Sequence, residues 1–273
     1  MNQHTLNQAL RTQLFGRPLI FFDQLDSTNS EAMRRLGSGV GLPGGAVLIA
    51  ARQTAGRGTG KNAWLSEAPE GLWFSLILHS PLRFHPIQFL PAIALADVLQ
   101  KKYGVPAHVK WPNDVLVGAK KISGTLMESH GPGGATTYVV GIGLNVNQRQ
   151  FPAAIAGKAI SLSQASGAAG PLPLEPVFAD VLASLEHWYE NPGDPIAAWL
   201  QRTRMVGRAL RIQRPGGTQR ALCTGLGPTG ALCLQHEDGS REELVSYTTT
   251  DIDYSYADDD APAAPGPPDD KRP

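Results

Sequence analysis

The chain has 273 residues, 42% hydrophobic and 18% charged, with 24 Lys+Arg against 24 Asp+Glu. That length suits one large domain or a large domain with a small one, and the apolar content is enough for a packed core. The balanced charge gives no reason to expect nucleic-acid binding.

No apolar run reaches membrane-spanning length, and the N-terminus Met1-Asn-Gln-His-Thr5 lacks a basic, hydrophobic leader. The two cysteines, Cys223 and Cys233, read as small buried thiols of a reducing compartment. A cytoplasmic protein without a membrane partner is expected.

Leu19 to Phe22 predicts a strand. Thr28 and Glu31 form a capping-box pattern ahead of Ala32, Met33 and Leu36, predicting a short helix that Gly37 stops. Ala46 to Ala50 predicts a strand feeding a glycine-rich loop, and Leu72 to Leu78 the strand after it. Ile87, Leu90, Ala94, Val98 and Lys102 follow helical spacing up to Gly104, with Pro91 leaving the first turn undefined. His108 to Lys110 predicts a strand, Val115–Val117 and Lys121–Glu128 a hairpin, and Tyr138 to Asn145 a buried strand. Helices are predicted over Val177–Tyr189, behind Pro176, and over Ile196–Leu200, behind Asp194-Pro195.

Near Val206 the character changes to short alternating strands and Gly/Pro turns, which suits a small β-barrel. Residues 1–205 are therefore expected to form one domain and 206–255 a small C-terminal one, with 256–273 a disordered tail. Hairpins mixed with helices favour an α+β fold, a mixed β-sheet with helices packed on one side, over a doubly wound parallel sheet.

Two segments carry most of the chemistry. The run Gln53-Thr-Ala-Gly-Arg-Gly-Thr-Gly-Lys-Asn-Ala-Trp64 matches neither the Walker A pattern nor G-x-G-x-x-G. Its glycines would let a ligand approach backbone N–H groups, and Arg57 can grip an oxyanion with a forked pair of hydrogen bonds. A flexible surface loop with a solvated Arg57 is the alternative. Lys110-Trp-Pro-Asn-Asp114 projects Asn113 and Asp114 from a turn stiffened by Pro112, and Lys121-Ile-Ser-Gly124 follows. Alternation puts Lys120 and Lys121 on opposite faces, so one can face inward. Each segment also has a plain structural reading: a turn, a solvated strand edge, a helix cap at Ser27-Thr28-Asn29. The seven histidines are scattered at no metal-site spacing, and no G-x-S-x-G appears.

In this order, Ser27-Thr-Asn29, Gln53 to Gly58, Trp64, Lys110 to Asp114, Lys121 to Gly124 and Gly141-Ile-Gly-Leu-Asn-Val-Asn147 resemble the biotin protein ligase family. The similarity covers about residues 19 to 147, and the β-rich segment resembles that family's small SH3-like domain.

The resemblance implies an ATP-dependent enzyme that activates biotin as biotinyl-5′-AMP and transfers it to a lysine of a biotin carboxyl carrier domain. It also implies the roles. Ser27, Thr28, Asn29 and Gln53 line the biotin site; Arg57, with the amides of Gly58 and Thr59, holds the carboxylate and adenylate phosphate; Lys121 bridges the two anions. Trp64 stacks on adenine, Asn145 bonds its edge, Lys110 and Asn113 sit near the phosphates and Mg²⁺, and Asp114 is the base for the acceptor lysine. No dedicated metal site is expected, Mg²⁺ arriving on the ATP phosphates with Asn113 as a protein contact. Thr59 and Asn62 stand where arginine-rich members carry arginines, which implies faster leakage of the adenylate.

About 18 residues precede the first strand, too few for the helix-turn-helix domain of some relatives, so no DNA-binding activity is expected. A monomer or weak homodimer is expected. The rival readings are a lipoate or octanoate ligase of similar fold, and a non-catalytic biotin- or nucleotide-sensing module.

Overall fold

A computed structural model of the chain describes residues 1–79, 87–131, 137–214 and 217–245. In chain order these form α1 (Gln3–Ala9), β1 (Leu19–Phe22), α2 (Thr28–Gly37), β2 (Val47–Ala50), β3 (Gly71–His79), α3 (Leu90–Tyr103), β4 (Ala107–Lys110), β5 (Asp114–Val117), β6 (Lys120–His130) and β7 (Thr137–Asn145). There follow α4 (Leu162–Ser166), α5 (Leu174–Glu190), α6 (Pro195–Leu200), β8 (Ala209–Arg214), β9 (Gly217–Leu226), β10 (Leu232–His236) and β11 (Arg241–Leu244). The tail expected to be disordered, 256–273, lies outside the described residues, as do Pro215 and Gly216 of one expected turn.

The chain divides into two compact units: Met1–Arg204 with Leu226–Ala231, and Met205–Gly225 with the chain from Leu232 onward. The first unit is built on a seven-stranded sheet of order β1-β2-β3-β7-β6-β5-β4. Only β1 and β2 run parallel; the other neighbours are antiparallel, so the sheet is mixed. The edges are closed by other groups, which blunts edge pairing. The Gln3 amide donates to Leu19 O (2.9 Å) and accepts from Phe21 N (2.8 Å) along β1, and Val109 N of β4 donates to Arg202 O (3.0 Å).

Period-two alternation gives the sheet two different faces. On one, Phe74 meets Phe178 of α5 edge to face at 5.3 Å. Leu76, Leu78 and Val140 surround a small apolar gap there with Leu90 of α3 and with Leu185 and Tyr189 of α5. This is the helical layer the α+β reading expects. On the other face Ala32, Met33 and Leu36 of α2 pack on Leu48, Ile77 and Val139. That helix covers only part of the face and leaves the rest to the site.

Local chemistry accounts for the element ends. The cap of α2 falls on Ser27, one residue before the expected Thr28: the Ser27 hydroxyl accepts from the Ser30 amide. Either hydroxyl could cap. Thr28 turns instead toward Gln53, and Glu31 pairs with Arg34 and Arg35 rather than reaching back. Pro91 is tolerated in the first turn of α3, where its missing N–H has no helical acceptor. That helix ends on Gly104 in the left-handed region (φ 66°).

The second unit carries an antiparallel sheet of order β11-β10-β9-β8, compatible with the small SH3-like domain expected. Met205, Leu210, Ile212, Ala221, Cys223, Leu232, Leu234 and Leu244 are its buried apolar residues among those described, most of them alternating with exposed neighbours. Burial pushes the Cys223 thiol up to about 11, so it behaves as a small apolar side chain.

Candidate active site

The open part of the second face begins as a floor without side chains. Register sets Ser75 beside Gly141, Leu126 beside Gly141, and Gly124 beside Gly143 across β3, β7 and β6. A Cβ on Gly141 would sit 2.9 Å from Asn29 Cγ, and one on Gly143 would collide with the Trp64 ring, 2.5 Å from its Nε1. Glycine is required because an amide and an indole lie directly on the backbone.

The start of α2 supplies one wall. Gln53 Oε1 accepts from Thr28 N (2.8 Å) and lies 3.2 Å from Thr28 Oγ1, while its Nε2 donates to Ser66 Oγ (3.0 Å). Ser75 Oγ donates to Asn29 Oδ1 (2.6 Å) and lies 2.8 Å from Thr28 Oγ1. Asn29 Nδ2 donates to Leu126 O and to Glu128 Oε2 (3.2 and 2.9 Å). These buried side chains are held by one another, so the wall is preorganised.

The glycine-rich loop is an ordered hairpin. Gln53 N donates to Ser66 O (2.8 Å), Trp64 N to Gly56 O (2.9 Å) and Gly58 N to Asn62 O (2.8 Å). Gly60 takes the left-handed conformation at its tip (φ 65°). This corrects one expectation: the Gly58 amide is bonded inside the loop rather than turned to a ligand. Arg57 leaves the loop and grips Glu128 with both terminal nitrogens, at 3.0 and 2.8 Å.

The other wall comes from β5 and β6. Between them the register slips by one residue, with Val115 opposite Ser123 but Leu116 opposite Lys121. The extra residue, Ile122, re-aims Lys121 onto the site, as bulges do. Lys121 Nζ lies 2.7 Å from Asp114 Oδ1 and 5.2 Å from the Trp64 ring centroid. Lys120 is exposed. Asn113 donates from Nδ2 to the Thr125 carbonyl and approaches Thr59 Oγ1 at 3.4 Å, tying the loop to this wall.

Together these groups enclose two cavities. The first, open to solvent, is lined by Ser27, Thr28, Asn29, Gln53, Arg57, Gly58, Thr59, Trp64, Asn113, Asp114 and Lys121 among others. The second, roomier and also open to solvent, is lined by Trp73, Asn145, Gln148, Phe151, Ile155 and Lys158 among others, and again by Trp64 and Lys121. Asn145 Nδ2 donates to Ile160 O (3.2 Å). Lys110 lines neither cavity; it ends β4 as the register partner of Asp114. Ser75, Thr125, Leu126 and Glu128 were missed from the sequence, although Leu126 and Glu128 follow Gly124 at period two and so share its face.

Residues 21–147 match the biotin/lipoate A/B protein ligase family. The chain is 31% identical over 227 residues to biotin–[acetyl-CoA-carboxylase] ligase of Paracoccus denitrificans, covering 78% of this chain and 92% of that protein. It is 30% identical over 253 residues to the bifunctional ligase/repressor BirA of Bacillus subtilis, covering 89% and 77%. The biotin protein ligase of Aquifex aeolicus, solved in complex with biotin and ATP, superimposes with a TM-score of 0.72 at 26% identity, covering 86% of this chain and 98% of that one. This chain belongs to the biotin protein ligase family.

Proposed function

We propose that this protein is an ATP-dependent biotin–protein ligase, joining biotin to AMP as biotinyl-5′-adenylate and then passing it to a lysine of a biotin carboxyl carrier domain. The observation that carries this reading is that Lys121 and Trp64 line both cavities. A reaction that links two molecules needs two compartments with a cation where they meet.

The first cavity suits biotin. Ser27, Thr28, Asn29 and Gln53 present fixed donors and acceptors for a ureido ring, which offers one carbonyl and two N–H groups. The larger cavity, walled by Trp64, Trp73, Phe151 and Ile155, suits adenine, with Asn145 for its polar edge. Biotin's carboxylate oxygen attacks the α-phosphorus, and the bond from that phosphorus to the bridging oxygen breaks as pyrophosphate leaves. Two like charges at 4 Å repel by about 4 kcal/mol at an effective dielectric of about 20. Arg57 and Lys121, once turned from their carboxylate partners to the bound anions, offset that repulsion.

Lys121 must turn from Asp114 toward the anions, and this frees the Asp114 carboxylate. In the second step Asp114 takes the proton from the acceptor lysine's ammonium group, whose nitrogen attacks the acyl carbon and expels AMP. Magnesium bound to the nucleotide lowers the negative charge of its phosphates. Among the described residues no three His, Cys, Asp or Glu side chains cluster to hold an ion, and Asn113 is the residue of this chain that would approach it.

The test is incubation with ATP, labelled biotin and a carrier domain, following pyrophosphate release and then the mass of the carrier lysine. Biotin is expected to drive both signals. Release driven by lipoate or octanoate instead would replace this reading with the rival ligase.

A further inference from the structure

Two groups assigned to the ligand, Arg57 and Asn29, are held by one carboxylate outside the first cavity's lining. Glu128 lies two residues beyond Leu126 on the same face of β6, at the rim. Its Oε1 accepts from Arg57 at 2.8 Å, and its Oε2 accepts from Arg57 at 3.0 Å and from Asn29 Nδ2 at 2.9 Å. A planar fork of this kind satisfies one carboxylate at a time on that edge of the guanidinium.

The Arg57 side chain is 43% exposed and that of Glu128 23%, so the pair stands in contact with water. A pair in that setting is weak enough to exchange. The second pair at the site, Lys121 with Asp114, involves a group with its own task in the chemistry. Glu128 lines neither of the two cavities and has no such task.

We propose that Glu128 is an internal competitor for the ligand's carboxylate. In the unliganded protein it occupies the oxyanion seat on Arg57, and biotin binds by exchanging its own carboxylate for that of Glu128. Glu128 is thus a positioning residue: it holds Arg57 and the glycine-rich loop over the cavity before the ligand arrives, at a cost in affinity. The inference rests on the biotin reading of the first cavity and adds the group that tunes it.

Calorimetric titration of the full chain separates the possibilities, using biotin and its uncharged carboxamide. Glu128→Gln is expected to bind biotin about five-fold tighter, the scale of one partly exposed ion pair, and to bind the carboxamide as the parent protein does. Combining it with Arg57→Ala should abolish the gain. Glu128→Asp, which draws the charge back by one methylene, should shift affinity in the same direction and serves if the amide variant fails to fold. Biotin binding that is unchanged or weaker in both variants overturns the proposal, as does an equal change for both ligands. If the parent protein binds neither ligand, the biotin reading falls and this inference with it; if it binds biotin and the variants do not differ from it, only the inference falls.

Discussion

The two faces of β3 and β7 share a backbone and differ in nearly everything else. On the helical face Phe74, Leu76, Ile142 and Leu144 are buried apolar side chains. On the site face Ser75, Gly141 and Gly143 carry a hydroxyl or no side chain, and the space is taken by Asn29 and Trp64 from other segments. Each face also has an arginine–carboxylate pair: Asp97 and Arg202 deep in the helical layer, Glu128 and Arg57 at the open rim. On the proposed reading the helical face serves stability and the open part of the other takes the ligand, so substitutions on the two should separate folding from activity.

The largest separation is expected at the junction of the cavities. Lys121→Ala should lower adenylate formation by about 10³-fold, or about 4 kcal/mol, with an unchanged melting temperature because Lys121 packs in no core. Pyrophosphate release and a thermal melt measure both, and retained turnover would refute the assignment. Phe178→Ala is the inverse case. Removing a fully buried ring that meets Phe74 from α5 should cost about 3–4 kcal/mol of stability. Denaturant titration measures that loss, while turnover per folded molecule is expected to stay near the parent value.

What could be read in advance follows the same division. The glycine-rich loop and Lys110 to Asp114 were legible because their chemistry is written in consecutive residues. That Arg57, Asp114 and Lys121 belong to one site is implied by the family resemblance, and all three line the first cavity. Ser75 and Glu128 were not legible, because each acts through a neighbour far away in sequence that only strand register supplies. The inward aim of Lys121 depends on the bulge at Ile122, which alternation alone does not reveal. Helix α1 is seven residues long with one buried side chain, Leu6, too short a pattern to detect. Lys110 was drawn into the site by its motif, yet it lines neither cavity.

The buried pair gives a prediction in pH. Asp97 accepts from Arg202 Nε (2.7 Å), Lys101 Nζ (3.0 Å) and Trp188 Nε1 (3.3 Å), joining α3 to α5 and to the turn after α6. Burial alone would raise its pKa, but the bonds from Arg202 and Lys101 outweigh it and hold the carboxyl below its ordinary 3.8. Its folded value is therefore below its unfolded value. The stability it contributes is complete above pH 3.8 and is lost as pH falls through the folded value. Asp97→Asn should cost about 2–3 kcal/mol at neutral pH, because Arg202 is left partly buried without its partner. It should also flatten the acid limb of a melting-temperature profile. An identical acid limb in the variant would remove Asp97 from the account.

The smallest expected effect probes the floor of the site directly. A methyl group on Gly143 cannot coexist with the Trp64 ring where it lies, so Gly143→Ala must push the indole toward the cavities. The fold can absorb this, because Trp64 is only partly buried and its loop is anchored independently by Gln53, Gly56 and Ser66. The displaced ring lines both cavities, so on the proposed reading nucleotide affinity should fall by about ten-fold, or about 1.4 kcal/mol, with stability changed by less than about 1 kcal/mol. Gly124→Ala should act more weakly, since its Cβ would sit 3.1 Å from the same ring and would chiefly meet the flexible end of Lys121. If the two variants instead lose stability and leave affinity intact, the glycines serve only strand packing, and the contrast between the faces would rest on the polar residues alone.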